Sequence, residues 1–296
     1  MRSFTIKDLE NLSGIKAHTI RMWEQRYSFL KPERTDTNIR YYSNNELKKL
    51  LNIALLNKYG FKISHIDKMN EGEMKEKILS LNQTQAHQER VINELIQHMM
   101  DLELEKFEEL LDNYIITRGI ERTITQIIFP YLEKIGILWL TNHINPAQEH
   151  LVTNIIRQKL IVGLEHNSST AKVNKTVLLF LPEGEYHELG LLFMAYLLKS
   201  RGVNIIYLGC SIPLDDVEYV VKLKKPDYIY SHLTTMGHKF NFDKFIDSII
   251  KRFSNIPIII SGQVTNSYKK KIHAPVNFKK SYGEILEFVT GLYAAS

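Results

Sequence analysis

The chain has 296 residues, of which 44% are hydrophobic and 24% charged, a composition typical of a soluble globular protein with room for two or three domains. It has no run of about 18 apolar residues and only one cysteine, Cys210, so we expect no membrane span, no internal disulfide and a cytoplasmic location. The net charge of +5 is uneven, since residues 1–70 hold 13 Lys and Arg against 7 Asp and Glu. A basic first segment is typical of a polyanion partner, although a merely solvated surface would also fit.

Two short helices separated by a glycine are predicted at the N-terminus. Thr5 and Asp8 have the spacing of a capping box, and Gly14 ends the first helix. A second helix follows over residues 17–27, and the pair predicts a helix-turn-helix. Side chains that this second helix exposes could reach phosphates and base edges in a major groove. They are His18, Arg21, Gln25 and Arg26.

A two-stranded hairpin and a third helix are predicted next. Pro32 and Asn38 mark turns, and Ser43 with Glu46 forms a second capping box. The side chains expected to project from the hairpin are Arg34, Arg40, Tyr41 and Tyr42. A small helical domain that binds protein is the alternative. Basic hairpin residues beside a capped recognition helix favour DNA.

The order of residue types in this segment is similar to that of a known family. Thr19 to Arg21, Trp23-Glu24, Arg26-Tyr27, Lys31-Pro32, Arg34 and Arg40 to Tyr42 resemble the winged helix-turn-helix of MerR-family transcriptional regulators. The stretch from Arg21 to Tyr27, with Trp23 where many members have tyrosine, resembles the branch that includes CarA, CarH and LitR.

Two positions depart from the family pattern. Lys16 occupies the usual serine cap of the recognition helix, so the helix loses a cap and gains a cation beside the DNA. Asn38 and Ile39 replace the Gly-Tyr of the wing. Because asparagine tolerates a positive φ, we expect the wing turn to survive.

The middle of the chain is predicted to be helical. Residues 73–90 are polar and Gln-rich, and we interpret them as a linker that passes into a helix. Further helical patterns follow near residues 102–117, 120–137 and 146–164. These patterns predict a compact four-helix segment over residues 91–168.

One stretch of this segment combines a tryptophan with a helix start. Asn145 is a good N-cap, Pro146 suits the first helical position and Gln148 completes a capping box, so Glu149 and His150 fall in the first turn. Trp139 is expected on the loop before that helix. Taken alone, this pattern more often marks a buried hydrophobic anchor with polar surface neighbours.

The C-terminal third predicts an α/β domain over residues 174–296. Strands are expected near residues 177–181, 203–208, 228–232 and 256–260, with helices between them. This alternation is typical of a doubly wound parallel sheet.

The loop after the first of these strands holds a candidate metal ligand. It lies at the carboxyl edge, where open α/β sheets bind ligands. His187 could coordinate a metal through one ring nitrogen, while Glu185 holds the other N–H and fixes the tautomer. Gly190 would let a helix approach something bulky. On this motif alone, a solvated histidine beside a solvated glutamate is the more common outcome.

Together, these motifs resemble CarH-like regulators that bind cobalamin. In that family a four-helix cap covers the upper face of the corrin, and Trp139, Glu149 and His150 match its capping motif. The best-known light sensors have histidine at the position of Leu140, where it caps cobalt after photolysis. His143 is near in sequence but on another helical register, and we do not assume that it substitutes.

The C-terminal motifs resemble the Rossmann-like cobalamin-binding domain. Glu185, His187 and Gly190 match Asp/Glu-x-His-x-x-Gly, which implies that His187 becomes the lower cobalt ligand and Gly190 admits the displaced benzimidazole base. Ser231 and Leu233 match Ser-x-Leu, whose serine would bond the nucleotide tail while a small residue leaves it room. Ser261-Gly262 stands in place of Gly-Gly, a departure that narrows the tail tunnel.

The sequence therefore predicts a multidomain protein made of an α-helical winged helix-turn-helix, a four-helix bundle cap and an α/β Rossmann-like doubly wound parallel sheet. The expected boundaries are residues 1–72 for DNA binding, 73–90 for the linker and helix entry, 91–168 for the cap and 174–296 for the cofactor domain.

The implied function is a transcriptional regulator, a repressor without catalytic residues. Adenosylcobalamin, or another cobalamin, would stabilise a homo-oligomer, a dimer or tetramer, on double-stranded operator DNA, and light would release it. Two alternatives stay open: a MerR-like regulator that acts through protein partners without the cofactor, and a component of a cobalamin-dependent methyltransferase or mutase.

Overall fold

The computed structural model divides into two compact units, Met1–Ile155 and Ile156–Ser296. It describes residues 4–140, 144–167, 169, 172–234 and 240–294. Among the described helices, none is long and apolar enough to cross a membrane. The first unit takes in the helix-turn-helix region together with most of the helical segment.

The first unit opens with three helices and a short hairpin. Helices α1 and α2 span Ile6–Ser13 and Ala17–Arg26. Strands β1 (Glu33–Arg34) and β2 (Arg40–Tyr41) pair antiparallel before helix α3, Asn44–Lys58. The buried core under them is continuous and apolar, because α1, α2 and α3 each turn one apolar face inward. Its members include Phe4, Leu9, Leu12, Ile20, Trp23, Tyr42, Leu47 and Leu50.

Local capping chemistry sets these helix ends. Both predicted capping boxes are confirmed: Thr5 with Asp8 opens α1, and Ser43 with Glu46 opens α3. Gly14 ends α1 with a φ of 74°, a left-handed conformation that glycine adopts without steric cost. Asn38 also has a positive φ, 64°, as expected for the hairpin turn.

The predicted linker is largely helical. Helices α4 (Ile63–Ile66) and α5 (Glu71–Leu79) follow α3. The polar composition hid a capping box, in which the Asn70 side chain accepts from the Glu73 amide at 2.9 Å and Glu73 accepts from the Asn70 amide at 2.9 Å. Ile78 is the apolar residue that α5 buries.

Four helical rods follow, and the last of them continues past Ile155 into the second unit. Tyr131 lies at the centre of their packing, its ring edge-on to Phe107 at 5.7 Å and its hydroxyl 3.2 Å from Met99 Sδ. Ion pairs join α3 to the first rod, Lys48 to Asp101 and Lys58 to Glu89. The rods are α6 (Thr84–Asp101), α7 (Leu104–Arg118), α8 (Ile120–Thr123) continued by a π-helical turn (Ile124–Ile128) and α9 (Phe129–Leu140), and α10 (Pro146–His166).

The second unit contains a five-stranded parallel sheet in the order β4-β3-β5-β6-β7. The strands are β3 (Val173–Pro182), β4 (Val203–Ile212), β5 (Tyr228–His232), β6 (Ile258–Ser261) and β7 (Val276–Lys279). The helices between and after them are α11 (Leu189–Ser200), α12 (Leu214–Lys224), α13 (Phe242–Arg252), α14 (Gln263–Ser267) and α15 (Tyr282–Ala294).

This sheet agrees with the predicted doubly wound topology and adds one strand. The sequence missed β7, a four-residue strand in which only Val276 is buried. Strand order reverses at β3, so the carboxyl ends of β3 and its neighbours border the crevice where such sheets bind ligands. The loop that carries Glu185 and His187 begins there.

Candidate functional site

Glu185 and His187 are in direct contact at the carboxyl end of β3. One carboxylate oxygen, Glu185 Oε1, lies 2.6 Å from His187 Nδ1 and accepts the His187 backbone N–H at 2.9 Å. Glu185 is 5% exposed, whereas the His187 side chain is 53% exposed. With the proton held on Nδ1, the lone pair of the imidazole lies on Nε2, the nitrogen that can bind a metal.

Electrostatics favours the charged form of this carboxyl. Burial raises the pKa of Glu185, but the hydrogen bonds from His187 outweigh it and hold the pKa below its usual value. Glu185 therefore stays a carboxylate near neutral pH and can stabilise positive charge on the ring or on a bound metal.

Neighbouring residues fix the loop. The Ser211 amide donates to the Glu185 carbonyl at 3.1 Å, which ties the loop to the end of β4. Glu188 accepts from Arg157 Nε at 2.7 Å and from the Tyr207 hydroxyl at 2.8 Å. Sequence patterns do not reveal this cluster, because Glu188 lies 31 residues from Arg157 and 19 residues from Tyr207 along the chain.

Gly190 lies against the imidazole of His232. A Cβ added at Gly190 would come within 2.2 Å of His232 Cδ2 and 2.4 Å of His232 Nε2, distances that real atoms do not tolerate. With the His232 ring in this position, only glycine fits at this point of α11. His232, whose ring makes this approach, is the middle residue of the Ser-x-Leu match at Ser231 to Leu233.

Polar side chains at the ends of β5 and β6 form a buried chain of hydrogen bonds. Ser261 Oγ lies 2.8 Å from His232 Nδ1 and 2.5 Å from the Tyr230 hydroxyl. Burial lowers the pKa of His232 to about 4, so the ring is neutral at neutral pH. Gly262, directly after β6, packs against the Leu233 backbone, and a Cβ added to it would lie 2.3 Å from the Leu233 carbonyl oxygen.

The residues present fit a corrinoid with a nucleotide tail. Two of the described buried side-chain atoms without a hydrogen-bond partner are Ser231 Oγ and Glu185 Oε2, both within the matched motifs. Buried polar atoms usually have partners, so these two atoms are free to bond a bound group. The donor that the loop presents is the His187 imidazole, and no group of three or more metal-ligating side chains occurs in the described part of the chain. One protein ligand suits a metal that a macrocycle already holds.

The first unit carries the residues matched to the cap. Trp139 lies in the last turn of α9 and is 52% exposed, which corrects the expected loop position: the helix runs on through Leu140. Glu149 and His150 occupy the first turns of α10, as predicted. The Asn145 side chain accepts a hydrogen bond from the Ala147 amide at 3.0 Å, and the Gln148 side chain accepts one from the Asn145 amide at 2.8 Å. His143 lies outside the described residues.

Most residues predicted to bind DNA are exposed on α2 and the hairpin. Lys16 makes no capping bond, as predicted, and its ammonium pairs with Glu10 at 3.3 Å. The Arg34 guanidinium donates to Asn38 Oδ1 at 2.6 Å across the hairpin turn. The exposed set is Lys16, His18, Arg21, Gln25, Arg26 and Arg34.

Two hairpin residues are held more tightly than the sequence predicts. Arg40 Nε donates to Glu24 Oε2 at 3.0 Å, and the Tyr41 hydroxyl donates to Glu33 at 2.5 Å; both side chains are partly buried. Tyr42, expected to project, is fully buried and also bonds Glu24. Glu24 thus joins α2 to the hairpin and fixes their relative orientation.

Two stretches of the chain match protein-family models. Residues 4–73 match the model of the MerR HTH family regulatory protein, and residues 91–162 match that of the B12 binding domain. The second match covers α6 to α10 and lies before the parallel sheet.

Individual relatives extend the similarity over most of the chain. The chain is 26% identical over 279 residues to the HTH-type transcriptional repressor CarH of Myxococcus xanthus, covering 90% of this chain and 91% of CarH. CarA of the same organism is 24% identical, covering 90% and 89%. A solved structure, the monomethylamine corrinoid protein of Methanosarcina barkeri, covers 69% of this chain and 98% of its own with a TM-score of 0.52 and 13% identity, a likeness of fold alone.

Proposed function

Because the chain joins a MerR-type helix-turn-helix domain to a B12-binding domain, we propose that it is a cobalamin-dependent transcriptional regulator that binds double-stranded DNA. The observation that carries the proposal is the 2.6 Å contact between Glu185 and His187 at the carboxyl edge of the sheet. Both Myxococcus relatives are named transcriptional repressors, which favours a regulator over an enzyme and repression over activation.

The chain's own residues suit the binding of a cobalamin. When bound, cobalamin would supply a cobalt ion that can accept a protein ligand. His187 Nε2 would be that ligand, and Glu185 would keep the ring in the required tautomer. Ser231 Oγ is a buried hydroxyl ready to bond the nucleotide tail, with Leu233 and Gly262 beside its path. Trp139, Glu149 and His150, the residues matched to the capping motif, would cap the bound cofactor.

The DNA-binding part would work through α2 and the hairpin. His18, Arg21, Gln25 and Arg26 would enter the major groove, since all four are exposed on α2. Lys16 and Arg34 would contact the flanking phosphates, and Arg40 and Tyr41 would do so with the parts of their side chains that Glu24 and Glu33 leave accessible. Phosphate contacts set the affinity and orientation, whereas contacts with base edges carry the specificity.

The finer proposal is that adenosylcobalamin controls assembly. Several DNA-binding modules held in one homo-oligomer, a dimer or tetramer, bind a repeated operator far more tightly than single modules do. Light would be the signal that shifts the loaded protein towards the unassembled state. Leu140 replaces the histidine of the light sensors that this chain resembles, so the state after photolysis would differ here.

The decisive test compares wild type with His187→Ala after reconstitution with adenosylcobalamin in the dark. We expect wild type to retain the cofactor through gel filtration with the absorbance of histidine-ligated cobalt, and His187→Ala to lose that absorbance and bind at least about tenfold more weakly.

The control is His273→Ala, which removes an exposed histidine elsewhere in the second unit and should behave as wild type. Identical spectra for wild type and His187→Ala would refute the ligand assignment. Operator binding without any retained cobalamin would favour a regulator that works through protein partners.

A further inference from the structure

The imidazole of His232 occupies the space directly over the Cα of Gly190. The two ring atoms nearest to a Gly190 Cβ, Cδ2 and Nε2, would lie 2.2 and 2.4 Å from it. The ring therefore fills the gap between the carboxyl end of β5 and the first turn of α11. A second ring placed against the Gly190 Cα would overlap the imidazole.

A latch holds the ring in that position. Ser261 Oγ lies 2.8 Å from His232 Nδ1, and its second contact, to the Tyr230 hydroxyl at 2.5 Å, fixes the serine in turn. Tyr230 and Ser261 are buried, so water does not compete well for these bonds. Moving the ring breaks its hydrogen bond to Ser261, a loss of about 1 kcal/mol.

The same gap is where the motif places the cofactor's base. Glycine is the residue that leaves such a gap, and Ser231, the residue before His232, has a buried hydroxyl without a partner. A tail-bearing corrinoid therefore competes with the imidazole for one volume. A corrinoid without the tail does not.

We propose that His232 is the specificity-determining residue for the nucleotide tail: its ring, latched by Ser261, closes the tail slot beside Gly190 and must turn away before a tail-bearing corrinoid can bind. This inference rests on the proposed function, since it presumes that the second unit binds a corrinoid. Ser261 is a positioning residue that acts through His232.

The test measures the affinities of wild type and His232→Ala for aquocobalamin and for aquocobinamide, which lacks the nucleotide tail. Absorbance titration and quenching of intrinsic fluorescence report binding directly. We expect His232→Ala to bind aquocobalamin about tenfold more tightly, because the competing ring is gone, and to bind aquocobinamide as wild type does.

A second variant separates the latch from the ring. Ser261→Ala keeps the ring but removes its hydrogen bond, so it should tighten aquocobalamin binding by a smaller factor, about threefold to fivefold. In the double variant, Ser261→Ala should have no further effect, because there is no ring left to hold. This non-additivity would not arise if either change merely loosened the fold.

Three results would overturn the proposal. Aquocobalamin affinity that is unchanged or weaker in His232→Ala means that the ring is no barrier. An equal gain for aquocobinamide means that the effect is not on the tail. Binding of neither corrinoid to wild type or to any variant removes the proposed function itself, and this inference with it, and is distinguished from the other two by the aquocobinamide titration.

Discussion

At the scale of the residue, single contacts decide which polar side chains are available for function. Arg40 and Tyr41 lie on the predicted DNA-binding hairpin, but Glu24 and Glu33 hold them and so set the geometry of the hairpin. Arg21, by contrast, is exposed on α2. A guanidinium in that position can reach a base edge or a phosphate, and these two targets differ in their dependence on salt.

We predict that Arg21→Ala weakens operator binding by about 5-fold to 150-fold, or about 1–3 kcal/mol, because one charged contact is lost. The operator is first selected from a random duplex library with the wild-type protein, and affinities are then measured by fluorescence anisotropy at several salt concentrations. A salt slope smaller by about one unit would identify a phosphate contact.

The matched control is Arg118→Ala, which removes an exposed arginine from α7. It should bind the operator as wild type does. If both variants lost affinity equally, the positive charge of the whole molecule would be acting, and α2 would have no special role.

At the scale of the element, the turn after β6 holds the carboxyl edges of β5 and β6 together. Gly262 has a φ of 98°, and its Cα faces the Leu233 backbone so closely that a Cβ would lie 2.3 Å from the carbonyl oxygen and 2.9 Å from the nitrogen. The Leu233 amide in turn donates to the Ser261 carbonyl at 2.8 Å. The site therefore depends on a backbone contact that only glycine permits.

Gly262→Ala should lower the free energy of unfolding by about 2–5 kcal/mol, since it combines a strained φ with a backbone clash. Urea unfolding followed by circular dichroism measures this loss. Gly291→Ala is the control, because a Cβ at Gly291 in α15 meets nothing within 4 Å. That change should leave the protein unchanged or stabilise it by up to about 1 kcal/mol. Equal stability of the two variants would contradict the close packing at Gly262.

At the scale of the whole molecule, the helix-turn-helix region and the helices that follow form one compact unit. Ion pairs join α3 to α6, and α1 packs against α9, the helix that ends with Trp139 and Leu140. A change at the end of α9 therefore has a continuous packed path to the helices of the helix-turn-helix region. A path of this kind permits coupling between the end of α9 and the helix-turn-helix region.

We predict that the protein loaded with adenosylcobalamin in the dark elutes from gel filtration as a larger species and shifts to a later volume after green illumination. The reason is that loss of the adenosyl group would weaken the contacts between copies of the chain that the loaded cofactor is proposed to stabilise. The control is the same protein loaded with aquocobalamin, whose volume should not respond to light. An unchanged volume for the adenosylcobalamin form would remove light control and leave cobalamin binding intact.

The sequence alone determined the parts of this protein that depend on local order. The capping boxes, the glycine that ends α1 and the apolar strands β3 to β6 are set by residues a few positions apart, and helix and strand periodicity makes them readable. The Glu185–His187 contact belongs to the same class, since its two residues lie within one loop. Helix α5, in the stretch that the polar composition predicts to be a linker, also has a local start signal, the capping box of Asn70 and Glu73.

The tertiary structure decided what distant segments do to one another. That His232 fills the gap left by Gly190, and that Ser261 holds it there, follows from bringing β5, β6 and α11 together. Tyr42 likewise turns inward because Glu24 of α2 lies beside it. Sequence patterns fix which face of an element is apolar, but the partner that a buried polar group finds is set by packing between elements far apart in the chain.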